Sequence, residues 1–203
     1  MMQSKSVTTP KAKSSKKEMQ ARARARQQRN SRLTWGAAAL LALAALAYGG
    51  WQLFRPRLGV SVPEMGREHI QLSVPHEPYN SDPPTSGPHA APIQAGFYDE
   101  AAPDESLVHN LEHGYVVIWY NCAGMDEVAC DAFKAQIRDV MERAGTVDLS
   151  GATKVIAVPR PTLPGPIAAT SWGRLYQPEA FDAAELLTFI KEFRKKAPEP
   201  NAP

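Results

Sequence analysis

Pro103-Asp104-Glu105-Ser106-Leu107-Val108-His109-Asn110-Leu111-Glu112-His113-Gly114 runs directly into Tyr115-Val116-Val117-Ile118-Trp119-Tyr120. The first part predicts a helix. Asp104 is suited to capping its start, and Gly114 is placed to stop it. The second part is an unbroken run of apolar β-formers, the pattern of a strand covered on both faces. A helix, its stop and a central strand thus follow one another without a spacer.

Downstream, Val128, Phe133, Ile137, Val140 and Met141 recur at helical spacing between Asp126 and Arg143. Lys154–Pro159 predicts a second strand and Ile167–Tyr176 a third. Asp182 caps a last helix whose buried stripe is Leu186, Leu187, Phe189, Ile190 and Phe193. The fold class is α/β or α+β: a small sheet with packed helices, in the order β-α-β-β-α. Upstream, residues 64–103 hold Pro83-Pro84-Thr85-Ser86-Gly87-Pro88-His89, which excludes helix interior because proline lacks the N–H donor. That region reads as an ordered irregular segment wrapped on the core, with a short strand near His69–Val74.

Charge divides the chain. Residues 1–32 carry ten Lys/Arg and one acid, Glu18, whereas the remainder holds 13 bases and 20 acids. Leu33 to Phe54 has no charged side chain, has Trp35 at one end and Tyr48 and Trp51 near the other, and is long enough at about 1.5 Å per residue to cross roughly 30 Å of hydrocarbon. A cleaved signal peptide would have a shorter basic region and a small-residue cleavage site, and a buried core helix would show a polar face. The expected organisation is a basic, disordered cytoplasmic tail (1–32), helical only on anionic lipid; a transmembrane helix (33–54); a linker (55–61); an extracytoplasmic domain (62–196); and a disordered tail (197–203). The excess of positive charge before the span predicts a single-pass protein of the cell membrane, N-terminus in the cytoplasm and domain outside. The expected partners are the membrane and anionic lipid. No nucleic acid is expected, because the basic segment adjoins the span and the domain is acidic. A protein partner stays open.

Cys122 and Cys130, facing an oxidising compartment, are expected to pair as a structural disulfide. A thiolate metal pair or a redox pair is the alternative, although C-x-x-C is absent.

All five histidines (His69, His76, His89, His109, His113) lie between residues 69 and 113. His109 and His113, four apart, share one helix face, a two-ligand arrangement suited to copper or zinc. His76 and His89 flank the proline-rich run and can reach the same place. The candidate ligands are His89, His109 and His113 first, then His76, His69 and Glu112, with Asn110 or Glu112 also able to orient an imidazole. The alternative treats these rings as hydrogen-bond struts in a non-catalytic envelope interaction or assembly module. His109-Asn110-Leu111-Glu112-His113 also spells H-x-x-E-H, the inverted zinc-peptidase motif, in which Glu112 would activate a water. The helix stop at Gly114, directly after the second histidine, weighs against a hydrolase, and no catalytic residue is otherwise assigned.

The runs Pro83–His89 and His109–Gly114, a β-run ending in Tyr120, and Ser171-Trp172-Gly173-Arg174 resemble the DUF3105 family over roughly residues 62–195. The motif positions are Pro83, Pro84, Thr85, Ser86, Gly87, His89, His109, Glu112, His113 and Gly114. Ser171 stands where the family usually has Ala. The resemblance implies an N-terminal anchor with an exported domain and carries no activity of its own.

Overall fold

The computed structural model describes residues 12–54, 57–147 and 151–202. It divides into two units, Met1–Pro56 and Arg57–Pro203.

The first unit is one helix, α1 (Ala12–Phe54, 43 residues). Within it Leu33–Trp51 is long and apolar enough to cross a membrane, and its side chains are not buried against other parts of the protein. The basic stretch expected to be disordered is helical from Ala12 onward and continuous with the apolar stretch. Ala, Arg, Lys and Gln are strong helix formers, and a turn already formed in the apolar part removes the cost of nucleation. Residues 1–11 lie outside the described residues.

The second unit is a mixed sheet with helices on both faces. Its elements are β1 (Val60–Ser61), β2 (Gly96–Phe97), α2 (Asp104–Glu112), β3 (Val116–Tyr120), α3 (Glu127–Ala144), β4 (Val155–Pro159), β5 (Ile167–Ser171), β6 (Arg174–Tyr176) and α4 (Ala183–Phe193). The strand order is β1-β6-β5-β3-β4-β2. Strand β3 is central: β4 runs parallel on one side (Ile118 opposite Ala157) and β5 antiparallel on the other (Ile118 opposite Ala169). All five of its residues are buried. Their alternation divides the core. Val116, Ile118 and Tyr120 face α3 and α4, in a cluster with Phe133, Ile137, Val140, Leu186, Phe189 and Ile190. Val117 and Trp119 face α2, in a cluster with Leu107, Val108, Leu111 and Trp172.

Several local expectations change. The expected third strand is two, β5 and β6, joined at Trp172-Gly173, where Gly173 takes φ +64°. The expected linker 55–61 contains β1, which pairs with β6 at the sheet edge. Near His69–Val74 there is a single parallel bridge between His69 and His89 instead of a strand, since Ser73 at φ +69° and Pro75 break the extension. Val128 is exposed, on the outer face of α3. Asp104 is not a cap: Pro103 holds that position, and the Asp104 carboxylate instead takes two hydrogen bonds from Arg160, at 2.7 and 3.1 Å. Arg160 also bonds Asp82 beside the proline-rich run and stacks over Trp119, so one guanidinium joins that run, the start of α2 and the sheet. Asp126 and Asp182 do cap α3 and α4, accepting from Ala129 N–H and from Ala184 and Glu185 N–H respectively.

Residues 197–202, expected to be a disordered tail, lie on the domain. Lys154, itself buried, donates through Nζ to the carbonyls of His113 (2.7 Å), Pro200 (3.3 Å) and Ala202 (2.5 Å). Glu199 N–H donates to the Glu112 carbonyl.

Cys122 and Cys130 form a disulfide between the end of β3 and the first turn of α3, with Cα atoms 5.5 Å apart. Closing so short a loop removes unfolded-state entropy worth about 2–3 kcal/mol. Reduction, or Cys122→Ser with Cys130→Ser, should lower the unfolding free energy by about that amount. Urea unfolding followed by tryptophan fluorescence, with and without reductant, measures it; an unchanged midpoint would contradict this account.

Candidate functional site

Helix α2 ends in a Schellman turn: Gly114 N–H donates to the Leu111 carbonyl and Tyr115 N–H to that of Asn110. Gly114 sits at φ +80°, and a Cβ there would lie 2.8 Å from the Lys195 Cα, so both backbone conformation and space demand glycine. This corner presents His109, Glu112 and His113 from the last turn of one helix. The His69–His89 bridge, made by Ile70 N–H to the His89 carbonyl and His89 N–H to the Glu68 carbonyl (both 2.9 Å), brings two more rings from the irregular segment. That segment is held on α2 by the Asn110 side chain, which donates to the Ile93 carbonyl (2.8 Å) and accepts from Ile93 N–H (3.1 Å). Asn110 therefore holds backbone and does not orient an imidazole.

Four imidazoles stand edge to face. Ring centroids are 4.5 Å apart for His69–His89, 4.8 Å for His89–His109, 5.0 Å for His69–His109 and 4.5 Å for His109–His113. His89 Nδ1 is 2.8 Å from the Gly87 carbonyl and His109 Nδ1 is 2.6 Å from that of Ala90. A carbonyl oxygen only accepts, so each Nδ1 carries the proton, and in the neutral rings both Nε2 atoms are left as lone-pair donors. They point inward. His89 Nε2 lies 3.0 Å from Glu112 Oε2; both atoms are buried, and among the described residues neither makes a hydrogen bond. His69 Nε2 is 3.9 Å from the same oxygen, with Arg67 Nε 4.0 Å from Oε1. One donor atom from each of His69, His89, His109 and Glu112 falls within 4.8 Å of the other three. A second such group joins Glu112 to His113 and Glu199, with His113 Nε2 3.8 Å from Glu199 Oε2; His113 Nε2–H also donates to His109 Nε2 at 3.1 Å.

Against the sequence expectation, His89, His109 and Glu112 come together, but the third imidazole of that group is His69; His113 groups instead with Glu112 and Glu199. His76 does not. Its Nδ1 bonds the neighbouring Glu77 carbonyl, its Nε2 faces Glu105 at 3.6 Å, and its ring packs on Tyr79. Glu199 had no sequence signal, since it sits in a short Pro-Glu-Pro tail far from any histidine in the chain.

A family model described as a protein of unknown function, DUF3105, matches residues 74–203. The chain belongs to the DUF3105 family. No curated protein and no solved structure was found to match it. The DUF3105 match includes the whole of α2 and the tail with Glu199, and it begins after His69.

Burial holds the His109 pKa below its ordinary value, and the neighbouring His113, His89 and His69 add to this; the Ala90 carbonyl works the other way. A base whose pKa falls on folding binds fewer protons folded than unfolded, so stability rises with pH through that interval. The protein should therefore lose stability as pH falls from above the ordinary histidine value near 6.5 towards the depressed native one, then level off. Thermal melts between pH 7.5 and 5 in chelator test this; His109→Gln should flatten the slope, and an equal slope in the variant would assign it elsewhere.

Proposed function

We propose that this DUF3105 domain binds a transition metal, copper or zinc, through His69, His89, His109 and Glu112. The observation that carries the reading is the pair His89 Nε2 and Glu112 Oε2, two buried electron-pair donors 3.0 Å apart with no hydrogen bond between them. Opposed acceptors out of water are costly unless a cation lies between or beside them. Three imidazole nitrogens and a carboxylate suit zinc or copper and do not suit calcium or magnesium. Two donors about 2.0–2.1 Å from a tetrahedral zinc stand about 3.3–3.4 Å apart. The four atoms, within 4.8 Å of one another, need to close by about 1.5 Å at most, and the exposed His69 ring is free to turn.

The carbonyls on His89 and His109 Nδ1 supply what a bound imidazole needs behind it: a fixed tautomer and orientation. Four protein donors fill a tetrahedral shell, the arrangement of a holding site rather than one that keeps a position open for water. Placing Glu112 among the donors also removes it from the water-activating role that a hydrolase would require.

In the same reading the protein is anchored by Leu33–Trp51 with its domain outside the cytoplasm. Ten basic residues before the span favour that orientation and give anionic lipid a surface, and a disulfide in the domain suits an oxidising compartment.

Full-length protein in detergent, without a histidine tag and stripped by chelator, should take up Zn(II) or Cu(II) with micromolar or tighter affinity by calorimetry. His69→Ala and Glu112→Gln should each weaken binding on the order of 100-fold, at or beyond the loss typical of supporting residues around a metal. His76→Ala should leave it unchanged. Absence of binding, or binding indifferent to His69 and Glu112, would reject the reading.

A further inference from the structure

The first site leaves His113 and Glu199 unused, although both lie against Glu112. We propose that Glu112, His113 and Glu199 hold a second divalent cation beside the first, with the Glu112 carboxylate bridging the two. The inference rests on the metal-binding reading above. It adds a position, a donor set and a role for the C-terminal tail.

The three donor atoms fall within 4.8 Å of one another. Glu112 is the residue shared by both groups, and its carboxylate is nearly sealed from solvent, 2% exposed, with Oε2 lacking a hydrogen bond among the described residues. A carboxylate has lone pairs enough for two cations, and centres linked in this way have ions about 3.5–4 Å apart. The sharp spacing of His109 and His113 fits that division. Their Nε2 atoms share a hydrogen bond of 3.1 Å, and loading replaces its proton with an ion on each nitrogen, so the two ions become near neighbours. His109 belongs with His69 and His89, whereas His113 has a second carboxylate, Glu199, at 3.8 Å.

Glu199 is not there by the accident of a loose end. Its own N–H donates to the carbonyl of Glu112, the residue whose side chain it would assist. Lys195 N–H donates to the Gly114 carbonyl, and Lys154 ties Pro200 and Ala202 to His113. The tail is thus attached on both sides of Glu199 and fixed to the same three residues, 112–114, that end α2. The Glu199 side chain itself is half exposed, which leaves it able to swing onto an ion or off it. Arg67, 4.0 Å from Glu112 Oε1 and itself half exposed, is the cation that now faces the shared carboxylate, and it would move outward on loading. The donor set of two carboxylates and one imidazole is richer in oxygen than the first site, so it suits zinc or copper(II) and discriminates against copper(I).

The test is metal stoichiometry on the full-length, tag-free chain in detergent, loaded with Zn(II) or Cu(II) and freed of excess ion. Elemental analysis should give two ions per chain for the wild type and one for Glu199→Gln, a shape-preserving change at an exposed position. In the Cu(II) form, electron paramagnetic resonance should show two coupled ions in the wild type and a single uncoupled ion in Glu199→Gln. His69→Ala should weaken the first ion while Glu199→Gln spares it. One ion per chain in the wild type, or two retained in Glu199→Gln, overturns the second site and leaves the first standing. No ion in the wild type overturns both.

Discussion

The turn at Gly114 fixes where everything else in the domain can lie. It closes α2 within one residue of His113 and releases the chain directly into β3, so the last turn of the helix and the central strand share an origin. With φ +80° and the Lys195 backbone packed where a Cβ would stand, no other residue serves. The strand it feeds is buried along its whole length and pairs on both sides, and that lowers the freedom of the helix end to drift. His109, Glu112 and His113 are therefore carried at a junction held by the central strand, while His69 and His89 come from the irregular segment. Sites built on such elements hold their donors better than sites on loops.

What the sequence made legible was local. The β3 run is visible because five consecutive β-formers have no other economical placement, and α3 and α4 because their apolar positions repeat at helical spacing and an aspartate precedes each. The hairpin inside Ile167–Tyr176 was hidden because Trp172-Gly173 lacks the Asn-Gly or Asp-Gly signature of a tight turn. Strands β1 and β2, two residues each, are too short to show any period. Asp104 looked like a cap until its carboxylate was claimed by Arg160, which lies 56 positions on. No window of sequence contains that pair.

The site followed the same rule. The clustering of histidines in less than a quarter of the chain pointed to the segment whose rings converge, but not to which of His69 and His76 would turn inward. The difference is a single backbone bridge, His69 to His89, formed between segments with no periodic signal. The tail failed as an expectation for a related reason. Its contacts with Lys154 span 46 and 48 positions and use backbone carbonyls, which every residue has. Composition alone said proline-rich and polar, and that describes an unfolded end as readily as a docked one.

The remaining choice is between histidines that brace the fold and histidines that hold an ion. Bracing accounts for half of each ring: the Nδ1 atoms of His89 and His109 hold the carbonyls of Gly87 and Ala90, and those bonds tie the irregular segment down. On the other side, His109 Nε2 is hydrogen-bonded to His113 Nε2, but bracing does not account for His89 Nε2. A strut needs no carboxylate facing its unprotonated nitrogen inside the protein, and a simple ion pair would align the Nε2–H with Glu112 Oε2, which at 3.0 Å the geometry fails to do. Donors that converge on a point beside their connecting line behave differently. With a nitrogen and an oxygen 3.0 Å apart and each about 2.0–2.1 Å from an ion, the angle at the ion is about 94°, within reach of the coordination that zinc and copper accept. Loss of the Nδ1 bonds would loosen the segment; what distinguishes a binding centre from a brace is the Nε2 side of His89, which this fold leaves buried against Glu112 Oε2 without a hydrogen bond.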